Sequence, residues 1–484
     1  MIRKLFGLLL CVAWLCFAAI SNNTVFEVRT DGSDTNGGGF VTGASGTNWT
    51  LQAAAQYAVT DAVTAGTTTI TSATANFGTD AIGNLLYIQG GTGAITAGWY
   101  EIKTRVNVTT ITVDRSTGLT TGTGATLNIG GALASLGQAG ALVIVRNTVY
   151  VKNGTYTIST ASTNVSGGAF DGSTAAGSAI IGYQTTRTPG NTGTRPILQV
   201  AAALSNCRIF KGNSTVILNL ELDGNSQTNS TVADGTFVSF YRCIFRNFTG
   251  ANSATGRIVG CLATGNSAAQ FNGAAVSYAC EAYGNTATPF AFTSALFCLS
   301  YNNTGASTSG FSGNSSNVFY NSVAYGNGSH GFDTSDARGG GVVNCYAEGN
   351  TGAGFNFNNA GPQILLVGSG GFNNTGGLYV TNPSDAALSK IGEVIPTATV
   401  FTAAGSNDFS LNNTAAGGAL LRALGYPLTT FPRGLTATQM DIGASQVVPA
   451  GGSGGGSAVY AMQQRIKQLI AGEQLLENIT VNVK

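Results

Sequence analysis

The stretch Cys261–Leu378 predicts an all-β solenoid of stacked coils, on three observations. One unit is written six times: Cys261-Leu-Ala-Thr-Gly-Asn266…Phe271, Cys280-Glu-Ala-Tyr-Gly-Asn285…Phe290 and Cys298-Leu-Ser-Tyr-Asn-Asn303…Phe311 open the series. Ser322-Val-Ala-Tyr-Gly-Asn327…Phe332, Cys345-Tyr-Ala-Glu-Gly-Asn350…Phe355 and a fading copy at Gly368…Asn374…Leu378 complete it. The marker asparagines lie 19, 18, 24, 23 and 24 residues apart, the period of one coil. Each copy also opens on apolar–polar alternation, as a strand with one buried face requires.

Within a copy the first and third positions are small or apolar, as in Cys280 and Ala282, and the second and fourth vary, as in Glu281 and Tyr283. Gly-Asn then supplies the left-handed backbone of a sharp corner. The Phe that follows points back into the core. Stacked in register, the coils place Cys on Cys, Asn on Asn and Phe on Phe, about 4.8 Å apart. A buried Asn column satisfies its own amides up and down the stack.

The pattern Cys/Asn-x-Ala-x-Gly-Asn-x-x-x-Gly-Phe, matched best by His330-Gly331-Phe332 and Ala353-Gly354-Phe355, resembles the right-handed parallel β-helix proteins of the pectate-lyase-like superfold. The resemblance implies fold. It implies little about activity, since that superfold hosts lyases, hydrolases, epimerases, phage tailspikes and adhesins.

Composition narrows the class. Of 484 residues 69 are Gly, 9% are charged and the formal net charge is +1, which excludes a nucleic-acid footprint. A hydrophobic content of 43% at regular spacing argues against disorder. Met1–Ala19, with Arg3 and Lys4 before the apolar run Leu5–Phe17, reads as a secretory signal peptide, with a retained membrane anchor as the alternative. The protein is expected to be secreted or held at a cell or virion surface. Cys207, Cys243, Cys261, Cys280, Cys298 and Cys345 remain; four of them share one inward position of the repeat and Cys243 lies a coil before Cys261, which predicts buried free thiols instead of disulfides.

Taken in order, residues 20–131 are expected to hold an N-terminal strand, a short helix over Thr50–Val59 and a β-rich insertion with strands at Thr68–Thr71, Leu85–Gln89, Trp99–Thr104, Thr109–Val113 and Ala125–Ile129. Asp31 and Asp34 are candidate calcium ligands, although an Asx-turn cluster is favoured because no third carboxylate follows at loop spacing. The β-helix is assigned to 132–448. It opens with a capping helix over Ala132–Ala141 and strands Leu142–Val145 and Thr148–Lys152, and continues through irregular coils that include Val216–Leu222 and Phe237–Phe245. Residues 449–458 are a Gly/Ser linker, and 459–484 an amphipathic helix (Val459–Glu477) and a terminal strand (Ile479–Val483). This tail is a candidate element for homo-oligomerisation or for capping the solenoid.

Two constellations could carry chemistry. Asp333, Asp336 and Arg338, with His330 just before, are the densest polar group in the repeats, and carboxylates beside an Arg suit polysaccharide cleavage. Their surroundings lack the triple-Asp cluster of polygalacturonases and the multi-carboxylate calcium site of pectate lyases. Tyr283, Tyr301 and Tyr325 share one outward position in consecutive coils, followed by Glu348, and could stack on sugar rings or simply on each other. No metal-binding His pair occurs and His330 is the single histidine, which leaves no catalytic triad. A structural or adhesive surface protein, with an extracellular polysaccharide or surface glycan as partner, is expected ahead of a polysaccharide lyase or hydrolase. A self-assembling filament or virion-surface subunit is the third reading.

Overall fold

The computed structural model describes residues 20–422, less position 94 and the stretches 119–120, 145, 160–177, 188–193, 212–214, 235–237, 253–255, 314–316, 335–339, 358–363 and 382–387. The signal segment, Asp336, Arg338, the linker and the C-terminal helix and strand therefore lie outside the described residues. The chain divides into two compact units, Met1–Tyr150 and Val151–Lys484.

In the first unit Thr24–Val28 pairs antiparallel with Gly39–Val41. Six strands then close into a barrel: Tyr57–Ala65, Thr69–Thr71, Thr110–Val113, Gly98–Asn107, Leu85–Thr92 and Thr121–Ile129, in that spatial order. Closure leaves no open edge, which is how a small sheet avoids pairing with strangers. The expected helix over Thr50–Val59 is replaced by a single 3-10 turn, Trp49–Leu51, and by the barrel strand from Tyr57. No residue from Leu51 to Ala58 is buried, so a helix there would have no apolar face to pack. Leu136–Leu142 does form a helix, with the Ser135 hydroxyl accepting from the Gln138 N–H at its N-cap. Leu142 ends that helix instead of opening a strand.

The second unit is a parallel β-helix. One sheet runs through ten parallel strands from Thr155–Ile158 to Gly370–Phe372 and carries the repeat itself; it is called the second sheet below. A first sheet, from Ala179–Tyr183 to Leu388–Ile391, supplies the strand before each copy, such as Val276–Tyr278, whose short irregular sequence conceals it. A third, six-stranded sheet begins at Phe271–Asn272 and carries the repeated Phe. Register is strict: Ala263, Ala282, Ser300, Ala324 and Ala347 are successive partners.

The corners follow from backbone chemistry. Gly284 turns with φ 63°, and where the third copy has no glycine Asn302 takes the same left-handed conformation at φ 50°. The runs Val216–Leu222 and Phe237–Phe245, expected as irregular coils, each turn at such a residue, Asn219 (φ 59°) and Arg242 (φ 55°).

Inside, like lies on like. Asn266 donates through Nδ2 to Asn285 Oδ1 (2.9 Å), Asn285 to Asn303 (2.8 Å), Asn303 to Asn327 (2.8 Å), Asn327 to Asn350 (2.9 Å) and Asn350 to Asn374 (2.8 Å). Each of these oxygens also accepts the backbone N–H of the preceding asparagine. Phe271, Phe290, Phe311, Phe332 and Phe355 stack at centroid separations of 4.6 to 5.3 Å. Cys243, Cys261, Cys280, Cys298 and Cys345 are buried and free, and burial pushes the Cys345 thiol up to about 12.

Replacing Asn285 by Ala leaves the backbone N–H and the Nδ2 of Asn266 without their shared acceptor. Denaturant unfolding is expected to show a loss of about 3 kcal/mol, since each orphaned buried donor costs about 1–3 kcal/mol.

Candidate functional site

The outward side chains of the second sheet form two rows, one residue per coil. Register places Gln199, Asp223, Arg246, Thr264, Tyr283, Tyr301, Tyr325 and Glu348 in one row. Glu221, Ile244, Leu262, Glu281, Leu299, Val323 and Tyr346 make the other. The face is polar over its early coils and aromatic over its later ones.

The aromatic half is covered. Phe401–Ala403 and Asp408–Leu411 pair antiparallel in a hairpin, and its Phe401 and Phe409 join a core cluster with Tyr301, Val323, Tyr346 and Leu421. Tyr283 stacks on Tyr301 at 5.1 Å, Tyr301 meets Phe409 at 4.7 Å, and Tyr325 meets Phe401 and Phe409 edge-on at 5.9 and 5.5 Å. Tyr301 is thus 2% exposed, so of the two arrangements expected for the ladder, rings against sugars or rings against each other, this tyrosine takes the second, as the floor of an internal core. Tyr283 and Tyr325 keep partial exposure. The Tyr301 hydroxyl donates to Glu281 Oε1 at 2.7 Å, and burial together with that bond raises the phenol above its ordinary 10.

Glu348 is likewise internal, at 4% exposure. Its Oε1 accepts from the Thr399 hydroxyl (2.5 Å), and its Oε2 from the Val400 N–H (3.3 Å) and the Tyr346 hydroxyl (3.0 Å). The carboxylate ties the hairpin's entry to the coil beneath. Burial raises its pKa above the ordinary 4.5, against the three bonds that pull it down.

The other sequence candidates are scattered. Asp333 sits on the third sheet, away from the rows that hold Glu348, and its Oδ1 accepts from Asn356 Nδ2 at 3.0 Å. His330 Nδ1 accepts the Ala353 N–H at 3.0 Å, which places the ring's own proton on Nε2 and makes the imidazole a turn-fastening group. In the first unit Asp34 accepts from the Ala134 and Ser135 N–H groups and the Ser135 hydroxyl, and Asp31 pairs with Arg29 at 2.8 Å. Among the described residues no three His, Cys, Asp or Glu side chains form a metal-holding group.

What the structure does bring together is Glu221, Asp223 and Arg246. Arg246 reaches Glu221 Oε1 with Nη1 at 2.8 Å and Asp223 Oδ2 with Nη2 at 3.1 Å. Asp223 also accepts from Gln199 Nε2 (3.0 Å), the Asn225 N–H (2.8 Å) and Asn247 Nδ2 (3.0 Å). Burial alone would raise its pKa, but these bonds and the guanidinium hold it below the ordinary 3.8. A signal for the group was present: Arg246 stands three residues after Cys243, as Thr264 follows Cys261 and Tyr283 follows Cys280.

A pH test follows for Glu348. Because its folded-state pKa is raised, the hairpin is most stable with the carboxyl protonated, and that stability is lost as pH rises through 4.5 towards the raised value. Amide protection over Val400–Leu411, corrected for intrinsic exchange, is expected to fall as pH rises above 4.5, and Glu348→Gln to flatten the trend.

No family model matches this chain, and no curated protein matches its sequence. Solved structures do. Pectate lyase Pel9A matches at 15% identity and TM-score 0.44, over 66% of this chain and 92% of that one. The catalytic domain of a GH87 alpha-1,3-glucanase in complex with nigerose matches at 11% and 0.34, over 76% and 83%. ORF18 of Geobacillus virus E2 matches at 12% and 0.37, over 54% of this chain and 57% of its own length. At these identities and TM-scores the matches assign no role, and the parallel β-helix stands on the chain's own strand pairing.

Proposed function

We propose that the protein is a structural, extracellular or virion-surface β-helix that holds a neutral polysaccharide along the outer face of its second sheet without cleaving it. One observation carries the reading: the row Gln199–Asp223–Arg246–Thr264–Tyr283 offers a cation, hydroxyl and amide groups and then an aromatic ring at successive coil steps. Sugar hydroxyls suit the first kind of group and ring faces the second. Arg246 is 36% exposed and keeps donors for a ligand. Two carboxylates to one guanidinium give the patch no net attraction for uronate chains.

Cleavage is disfavoured by the same geometry. Asp223 is held ionised by its bonds and so cannot serve as a general acid. Arg246 has both terminal nitrogens engaged by carboxylates, at 2.8 and 3.1 Å, a bracing role in place of a catalytic one. An extracellular setting is supported by the signal-like Met1–Ala19 and the low charge of the chain.

A glycan-array screen with a parallel reducing-end assay tests this. Binding without new reducing ends is expected, and Arg246→Gln and Tyr283→Ala should each weaken it about tenfold, the loss of roughly 1.4 kcal/mol. Release of sugar ends would favour a lyase or hydrolase, and unchanged binding in both folded variants would remove this face from the argument.

A further inference from the structure

The outer face of the first sheet carries an apolar row that neither the core nor the candidate site uses. Tyr241, Val259, Tyr278, Leu296, Tyr320 and Val343 are successive register partners, one per coil, and all are half-buried. Beside them Val318 is 41% and Leu365 42% exposed. An unbroken apolar strip on an outward face is costly to leave in water and marks a docking surface.

We infer that this strip is the seat of the chain's own C-terminal segment, Val459–Ile470. The sequence there places Val459, Met462, Ile466, Leu469 and Ile470 on one helical face, and Arg465 and Lys467 off it. The dimensions agree. From Val259 to Val343 the strip takes four coil steps of about 4.8 Å, about 19 Å in all. A helix from Val459 to Ile470 rises about 17 Å, and its pitch of about 5.4 Å sets one apolar residue near each coil.

Reach is no obstacle. The last described residue is Arg422, and the stretch 423–458, which ends in the Gly/Ser run, can extend on the order of 100 Å. A tethered segment meets its own chain at an effective concentration on the order of millimolar, which favours its own strip over a neighbour's.

Hydrogen exchange on the full-length chain tests the inference. The amides of residues 459–470 are expected to be protected about tenfold or more over random-coil rates. The double variant Val318→Asp, Leu365→Asp changes two exposed side chains and should abolish that protection while leaving the amides of Asn285 and Asn303 slow to exchange. A photoreactive phenylalanine analogue at position 318, in a mixture of light and isotopically heavy chains, should cross-link to 459–470 within single chains. Random-coil exchange in the parent, unchanged protection in the double variant, or cross-links between light and heavy chains would each overturn it.

Discussion

The column of buried asparagine amides is the constraint on which the β-helix depends. Each Oδ1 accepts two bonds from the preceding asparagine, one from its side chain and one from its backbone. Both can form only if every coil delivers an asparagine to the same point, about 4.8 Å further along the axis. Slipping one coil by a residue would strand donors on both sides of it, in a core where an unmade bond is expensive. Coil length is free by comparison. The spacing of the marker asparagines ranges from 18 to 24 residues.

Once inner register is fixed, the outer rows have no choice of neighbour. Whatever stands one position from an inward residue is set against its counterpart in the next coil. Tyrosines at that position in successive coils become a stacked ladder, and an apolar ladder on an outer face must then be covered. The hairpin carrying Phe401 and Phe409 does this. Glu348, next in the same row, takes the cover's backbone and hydroxyl as its ligands. The cover is anchored by hydrogen bonds to a buried acid as well as by apolar contact, so its stability depends on proton activity and that of the inner column does not.

What could be read from sequence follows the same division. Repetition made the second sheet, the Phe stack, the Asn column and the free thiols legible, because each is a statement about identical residues at identical phase. Within the regular repeats the first sheet went unseen, since strands such as Val276–Tyr278 and Ala295–Leu296 share no residue type at a fixed position. The barrel strand at Tyr57 was hidden behind an alanine-rich run whose helix propensity lost to pairing with Thr121–Ile129 along most of its length. Arg246 was legible in principle, because it holds the phase of Tyr283. It was obscured because Glu221 and Asp223 lie a whole coil away in sequence. The covering of Tyr301 could not be read at all, since it depends on a hairpin more than a hundred residues downstream.

The contrast between the two kinds of row bears on how such a scaffold can acquire function. Two inner columns use like on like: the amide bonds of Asn285 and the ring contacts of Phe290 are each made with a matching neighbour. Outer rows set unlike residues at the same close spacing without disturbing the core, and there a difference becomes an interaction. Asp223 beside Arg246 is such a case, an ion pair fixed in geometry by strands that neither residue stabilises greatly. Binding chemistry on this fold is therefore cheapest where two consecutive outward positions differ in charge or ring character. In the described coils that happens over Asp223, Arg246, Thr264 and Tyr283, just before the uniform tyrosines begin and the cover closes over them.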